Sequence, residues 1–198
     1  TRTIDERLLN TALLAQSLRY DKSGEEHYNL VSAYIMSLRD SDPNGALYWL
    51  ARMLEGGENP RFIARRMVIF ASEDVGNADP QALLVANAVA QAVEFVGLPE
   101  AQINLAHGTT YLASCPKDNA SYVGLQEARR DARQYGNLGV PLHLRNAVTS
   151  LMKDIGYGQG YRYVHDDPAA RGDQSHLPDS LKGARYYRPR TSDDEERG

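Results

Sequence analysis

At 198 residues the chain has room for one domain with appendages, and its 42% hydrophobic content is enough for a core. A net charge of −4, from 22 Lys and Arg against 26 Asp and Glu, excludes a strongly basic nucleic-acid binder. No run approaches the roughly 18 apolar residues of a membrane span. The single Cys115 excludes an internal disulfide or a thiolate zinc cluster, so the chain reads as a reduced, cytoplasmic protein with no membrane partner.

The chain opens on Thr1-Arg2-Thr3-Ile4 without a signal-peptide pattern and already in helical register, as expected of a domain cut from a longer protein. Charge is unevenly placed. Residues 1–152 carry 14 Lys and Arg against 17 Asp and Glu, residues 153–190 carry seven against five, and residues 191–198 one against four.

The periodicity predicts an all-α fold. From Glu25 to Arg39, Leu30, Val31, Tyr34, Ile35 and Leu38 form one helical face. Asp42-Pro43 then offers an N-cap and a first-turn proline, and Gly56-Gly57 stops the helix that follows. Pro60 opens a third helix with Ile63, Met67, Phe70 and Ala71 inward, and Asp79-Pro80 repeats the cap chemistry. The helix from Pro80 to Val96 is apolar almost all round and is expected to be central, with Val85, Val89 and Val93 in the middle of the core. Pro99 starts a helix to about Ala113. Another spans about Asn119 to Tyr135, with Leu125, Ala128, Ala132 and Tyr135 inward. After Gly136 helical periodicity returns only from about Val148 to Ile155, and residues 156–190 read as an irregular arm anchored by five tyrosines.

No G-x-x-x-x-G-K-[ST] loop is present to cradle phosphates. Gly156, Gly158 and Gly160 follow a short helix rather than a strand, so they read as a helix stop. His165-Asp166-Asp167 resembles part of a metal-dependent phosphohydrolase signature, but it sits in a loop, and His27 and His107 would have to converge on it. No complete catalytic site is expected, no cofactor, and no metal. Ala71-Ser72-Glu73-Asp74-Val75-Gly76 puts two acids at a helix end, where the macrodipole disfavours them. Either Glu73 or Asp74 pairs with an arginine or caps the next turn, or the motif is an interface contact. Arg61, Arg65 and Arg66 lie on one helix, and Arg129 and Arg133 on a later one. They read as solvated faces or as DNA contacts. Tyr48, Trp49, Phe62 and Ile69 lie off the inward stripes and are expected to need covering, by a second subunit or by the arm.

These segments together resemble a known family. Asp21-Lys22-Ser23-Gly24-Glu25-Glu26-His27-Tyr28, Ser41-Asp42-Pro43 and Ala46-Leu47-Tyr48-Trp49-Leu50-Ala51-Arg52 look like the C-terminal region of RarA/MgsA-type AAA ATPases, whose eukaryotic relatives are the Werner-helicase-interacting proteins. The likeness continues through Ala71–Gly76, Pro141-Leu142-His143-Leu144-Arg145-Asn146-Ala147, Gly156-Tyr157-Gly158 and Arg185-Tyr186-Tyr187, covering residues 20 to about 188. Val148 departs from it, where a proline is expected.

The resemblance implies a helical post-AAA oligomerisation domain akin to the clamp-loader collar, spanning residues 20–190. Residues 1–19 would be the end of the ATPase lid or a linker, and 191–198 an acidic tail. It implies a homo-oligomer, expected to be a tetramer. It further implies a parent that is a DNA-dependent ATPase of replication-fork maintenance, recombination and DNA repair, with ATP and Mg held in a module outside this chain. Single-strand-binding protein and other replication proteins are the further partners it implies. Trp49, Phe62, Glu73, Asp74, His143, Arg145 and Tyr157 are the residues expected in an interface or structural motif. A DNA-binding helical module and a metal-dependent helical enzyme are the rival readings.

Overall fold

Asp, Asn and Pro punctuate the chain where its helices begin. The computed structural model describes residues 25–189, so the expectations for residues 1–19 and for the tail 191–198 lie outside the described residues. Helix α1 spans Glu25–Arg39, α2 Pro43–Glu55 and α3 Pro60–Phe70. Asp42 accepts the backbone N–H groups of Asn44 and Gly45, and Asn59 accepts that of Arg61, so each proline sits in a first turn whose lost donor costs nothing. One turn of π-helix, Ala71–Val75, and a 3-10 turn, Gly76–Ala78, lead into α4, Gln81–Val96. Then come α5, Ala101–Ser114, and α6, Ala120–Tyr135. The last helix, α7, is short, Ser150–Asp154, and Thr149 caps it through the N–H of Met152. Among the described residues every regular element is helical, and none is long and apolar enough to cross a membrane.

The chain divides into two compact units between Tyr122 and Val123, within α6, and the second runs to Arg188. In the first unit α1 packs on α2 and α5, α3 on α4, and α4 on α5. Tyr34, Leu38, Met53, Ile63, Met67, Phe70, Leu105 and Leu112 are fully enclosed there. The Tyr34 hydroxyl shares a 2.9 Å hydrogen bond with Thr109, so a polar pair buried at the centre is satisfied. Gly108 lets α5 approach closely: a Cβ at that position would lie 2.9 Å from Val89 Cγ2.

Helix α4 is not central, contrary to its composition. Ala82, Ala86, Val89 and Val93, at i, i+4, i+7 and i+11, form its buried stripe. Leu84, Ala88, Gln91 and Phe95 form a second stripe with the same spacing, and all four are exposed, Phe95 to 92%. Val89 and Val93 lie in the core as expected, whereas Val85 is only half-buried. The physical reason is that α4 forms one outer layer of the unit, and a helix with one packed face leaves its opposite face outside.

The second unit also departs from the expected register. Leu125, Ala132 and Tyr135 of α6 are exposed and Ala128 is half-buried. The arm instead docks at Gly124, where a Cβ would lie 2.7 Å from the Tyr186 carbonyl oxygen. Tyr186 donates to Asp131 at 3.0 Å and Arg188 to Glu127 at 3.1 Å, so polar contacts at i+3 and i+7 from Gly124 define the face that is used. Beyond Asp154 the described arm contains only turns and two short 3-10 segments. Of its tyrosines, Tyr157 and Tyr186 are half-buried, while Tyr161, Tyr163 and Tyr187 are exposed.

Candidate functional site

The Ala71–Gly76 motif builds the most elaborate polar feature of the first unit. The π-turn widens the end of α3 and carries Asp74 inward, where it is buried. Arg39, in the last turn of α1, donates to it from Nε at 2.6 Å and from Nη2 at 3.2 Å. This bidentate pair raises the Arg39 pKa further, the hydrogen bond to Asp74 being the largest cause. It also compensates the acid that the helix end disfavours. Asp74 does not cap α4. That task falls to Asp79, which accepts the N–H of Gln81 at 3.0 Å.

Gly76 closes the turn with φ +54° and ψ −130°, a conformation that a side chain rarely tolerates. It lies against the carbonyl of Asp118, whose buried carboxylate in turn accepts the N–H of Ala120 at the start of α6. Arg39, Glu73, Asp74, Lys117, Asn119 and Tyr122 line an open cleft of about 410 Å³. Lys117 donates to the carbonyls of Ala113 and Cys115 and to Ser41, and burial lowers its pKa. The cleft's cations are therefore committed to partners within the fold.

Sequence reasoning missed a neighbouring cluster, because Asp79 lies 32 and 36 residues from its two partners. Asp79 accepts the Tyr111 hydroxyl at 2.8 Å and the Cys115 thiol at 3.4 Å. The Tyr111 hydrogen bond holds the Asp79 carboxyl below its usual range, and the same bond pushes Tyr111 up to about 12. Burial first, and Asp79 second, push the Cys115 thiol up to about 11. A thiol that high stays protonated at neutral pH and makes a poor nucleophile.

The remaining expected residues fall in separate places. Arg61 pairs with Glu94 at 2.6 Å, Arg65 is exposed, and Arg66 is half-buried with its Nε enclosed. Arg129 and Arg133 are exposed and belong to the second unit. Trp49 and Phe62 are half-buried rather than open. The Trp49 ring meets Tyr48 at 5.0 Å, and Phe62 meets His27 at 5.2 Å, with His27 paired to Glu58 at 2.8 Å. Tyr48 and Ile69 remain exposed. The His165 ring meets that of Tyr163 at 5.1 Å, tilted by 49°, and Asp167 accepts from Arg162 at 2.6 Å. Among the described residues no three His, Cys, Asp or Glu side chains gather as a metal would require.

The Pro141–Ala147 and Gly156–Gly158 motifs meet in the second unit. Arg145 stacks over Tyr157, its Cζ 5.1 Å from the ring centre, and donates to the Tyr157 hydroxyl at 3.2 Å and the Val140 carbonyl at 2.6 Å. His143 bonds the Ser175 carbonyl through Nε2 at 2.8 Å, and Gly158 donates to the Leu142 carbonyl at 2.9 Å. Beside these contacts His143, Leu144, Arg145, Asn146, Gly158, Tyr161 and His176 line an open cleft of about 400 Å³.

Residues 40–198 match the family described as MgsA AAA+ ATPase C terminal. An AAA domain-containing protein of Mycobacterium tuberculosis is 51% identical over 174 residues, 87% of this chain and 38% of that protein. Replication-associated recombination protein A of Coxiella burnetii is 46% identical over 188 residues, 94% of this chain and 42% of the relative. The protein of the same name in Escherichia coli K12 is 43% identical over 189 residues, 95% and 42% respectively. The chain thus spans about two fifths of the curated relatives it matches.

Proposed function

The chain belongs to the C-terminal family of MgsA AAA+ ATPases, and on that premise we propose that it joins the subunits of an ATPase acting in replication-associated recombination. ATP and Mg would be held in the portion of such a protein that this chain does not span, and DNA would be engaged by the assembled whole. A homo-oligomer, most simply a tetramer with closed symmetry, is the form that suits this role.

The outward stripe of α4 supports the reading. Leu84, Ala88 and Phe95 stand on one helical face, and Leu98 and Ile103 are exposed in the turn and helix that follow. Burying a large apolar side chain contributes about 1.5–3 kcal/mol. Several such side chains, counted on each of two subunits, reach the about 4–15 kcal/mol that association costs in lost freedom.

The test uses the buried Cys115, which leaves an introduced thiol as the reactive one. In Ala88→Cys, maleimide labelling should slow as protein concentration rises through the micromolar range, while labelling of Asp40→Cys stays constant. Equal, concentration-independent labelling at both positions would remove this face as the subunit contact.

A further inference from the structure

Charge separates the two units in a way the whole-chain total hides. Residues 25–122 carry six Lys and Arg against 12 Asp and Glu, whereas residues 123–188 carry ten against seven, with His143, His165 and His176 in addition. Within the second unit most acids are already engaged. Asp167 and Asp173 hold Arg162, Glu127 holds Arg188, and Asp131 takes Tyr186.

Arg145 is different. Its guanidinium is fixed entirely by neutral groups, the Tyr157 ring and hydroxyl and the Val140 carbonyl, with no carboxylate within salt-bridge distance among the described residues. It lines the cleft of about 400 Å³ together with His143, Asn146, Tyr161 and His176, and no acid lines that cleft. The walls are tied together, since Gly158 donates to the Leu142 carbonyl, and a Cβ on Gly158 would already touch the Arg145 carbonyl oxygen at 3.4 Å. Arg145 is the one Lys or Arg among the lining residues; an arginine without a counter-charge favours an anion, and its fork matches the geometry of phosphate oxygens.

Tyr161 makes the cleft more than an anion hole. It is 45% exposed and its side chain has no hydrogen-bond partner among the described residues, so its ring is available at the rim. An aromatic face beside a phosphate site fits one nucleotide unit, base and phosphate together. A duplex keeps its bases stacked and cannot offer one.

We propose that this cleft binds single-stranded nucleic acid, with a backbone phosphate on Arg145 and an adjacent base stacked on Tyr161. The site lies wholly within residues 123–188 and stands whether or not the chain self-associates.

The experiment is fluorescence anisotropy of the whole chain with a labelled oligothymidine of about 16 nucleotides, repeated between about 50 and 200 mM salt. Tyr161→Ala should weaken binding by about 5- to 150-fold, the range that stacking of one base implies, with the helical circular dichroism unchanged. Arg145→Gln should lower the slope of log affinity against log salt by about one, the mark of one lost phosphate contact. Arg61→Ala, in the first unit, should change neither. Absence of oligothymidine binding would overturn the proposal. So would unchanged affinity in Tyr161→Ala, equal affinity for a duplex of the same length, or inorganic phosphate competing as effectively per phosphate as the strand.

Discussion

Gly76→Ala tests whether the turn after α3 is built on a glycine for the reasons its geometry gives. Two costs are separable there. The backbone at φ +54° and ψ −130° lies where L-residues are strained, at about 1–3 kcal/mol. The new Cβ would also lie 2.5 Å from the Asp118 carbonyl oxygen, which is backbone and cannot rotate aside. Overpacking of this kind adds about 1–3 kcal/mol. The sum, about 2–6 kcal/mol, is a large part of the stability of a domain this size, about 5–15 kcal/mol. Gly57→Ala is the internal control. Gly57 also has positive φ, +77°, but nothing lies within 4 Å of its Cβ position, so only the conformational cost applies, about 1–2 kcal/mol. Urea unfolding followed by circular dichroism should place Gly76→Ala below Gly57→Ala by at least about 1 kcal/mol. Equal losses in the two variants would refute the close approach of Gly76 to Asp118.

Other consequences follow from single contacts. Gly124→Val should lift the arm from α6, because its Cβ would meet the Tyr186 carbonyl oxygen at 2.7 Å. Trypsin should then cleave after Lys182 and Arg185 faster than in the unaltered chain, and an unchanged digestion rate would contradict that docking. Cys115 titrates near 11 in the fold against about 8.5 when unfolded, so its neutral form contributes stability that is complete below about pH 8.5 and lost as pH rises through about 11. A thiol reagent at pH 8 should therefore label it slowly in the native state and rapidly in urea, and equal rates would show the thiol to be open.

The helices were legible because their signals are local. Asp42-Pro43 caps and opens one helix and Pro60 opens the next by chemistry contained within four residues, and the Tyr34–Leu38 face follows from a 3.6-residue period. What could not be read was which of two usable faces a helix buries. On α4 the buried stripe is mostly alanine and valine and the exposed one carries Leu84 and Phe95, so side-chain size pointed the wrong way. Both stripes repeat at i, i+4, i+7 and i+11, so composition alone cannot rank them. On α6 the choice is made by Tyr186, 55 residues from its partner Asp131, a separation that no local pattern encodes. Among the candidate residues, Glu73 or Asp74 was legible as pairing with an arginine, capping the next turn or meeting an interface, but the Arg39–Asp74 pair itself was not, since the π-turn that aims Asp74 has no sequence signature of its own.

The solution mass of this chain tests the central claim most directly. Sedimentation equilibrium from low to high micromolar concentration should give a multiple of the single-chain mass. Replacing two members of the exposed α4 stripe, Leu84→Asp with Phe95→Asp, should return one chain per particle with its helical circular dichroism intact. A single-chain mass for the unaltered protein across that whole range would contradict the proposal that this domain joins subunits.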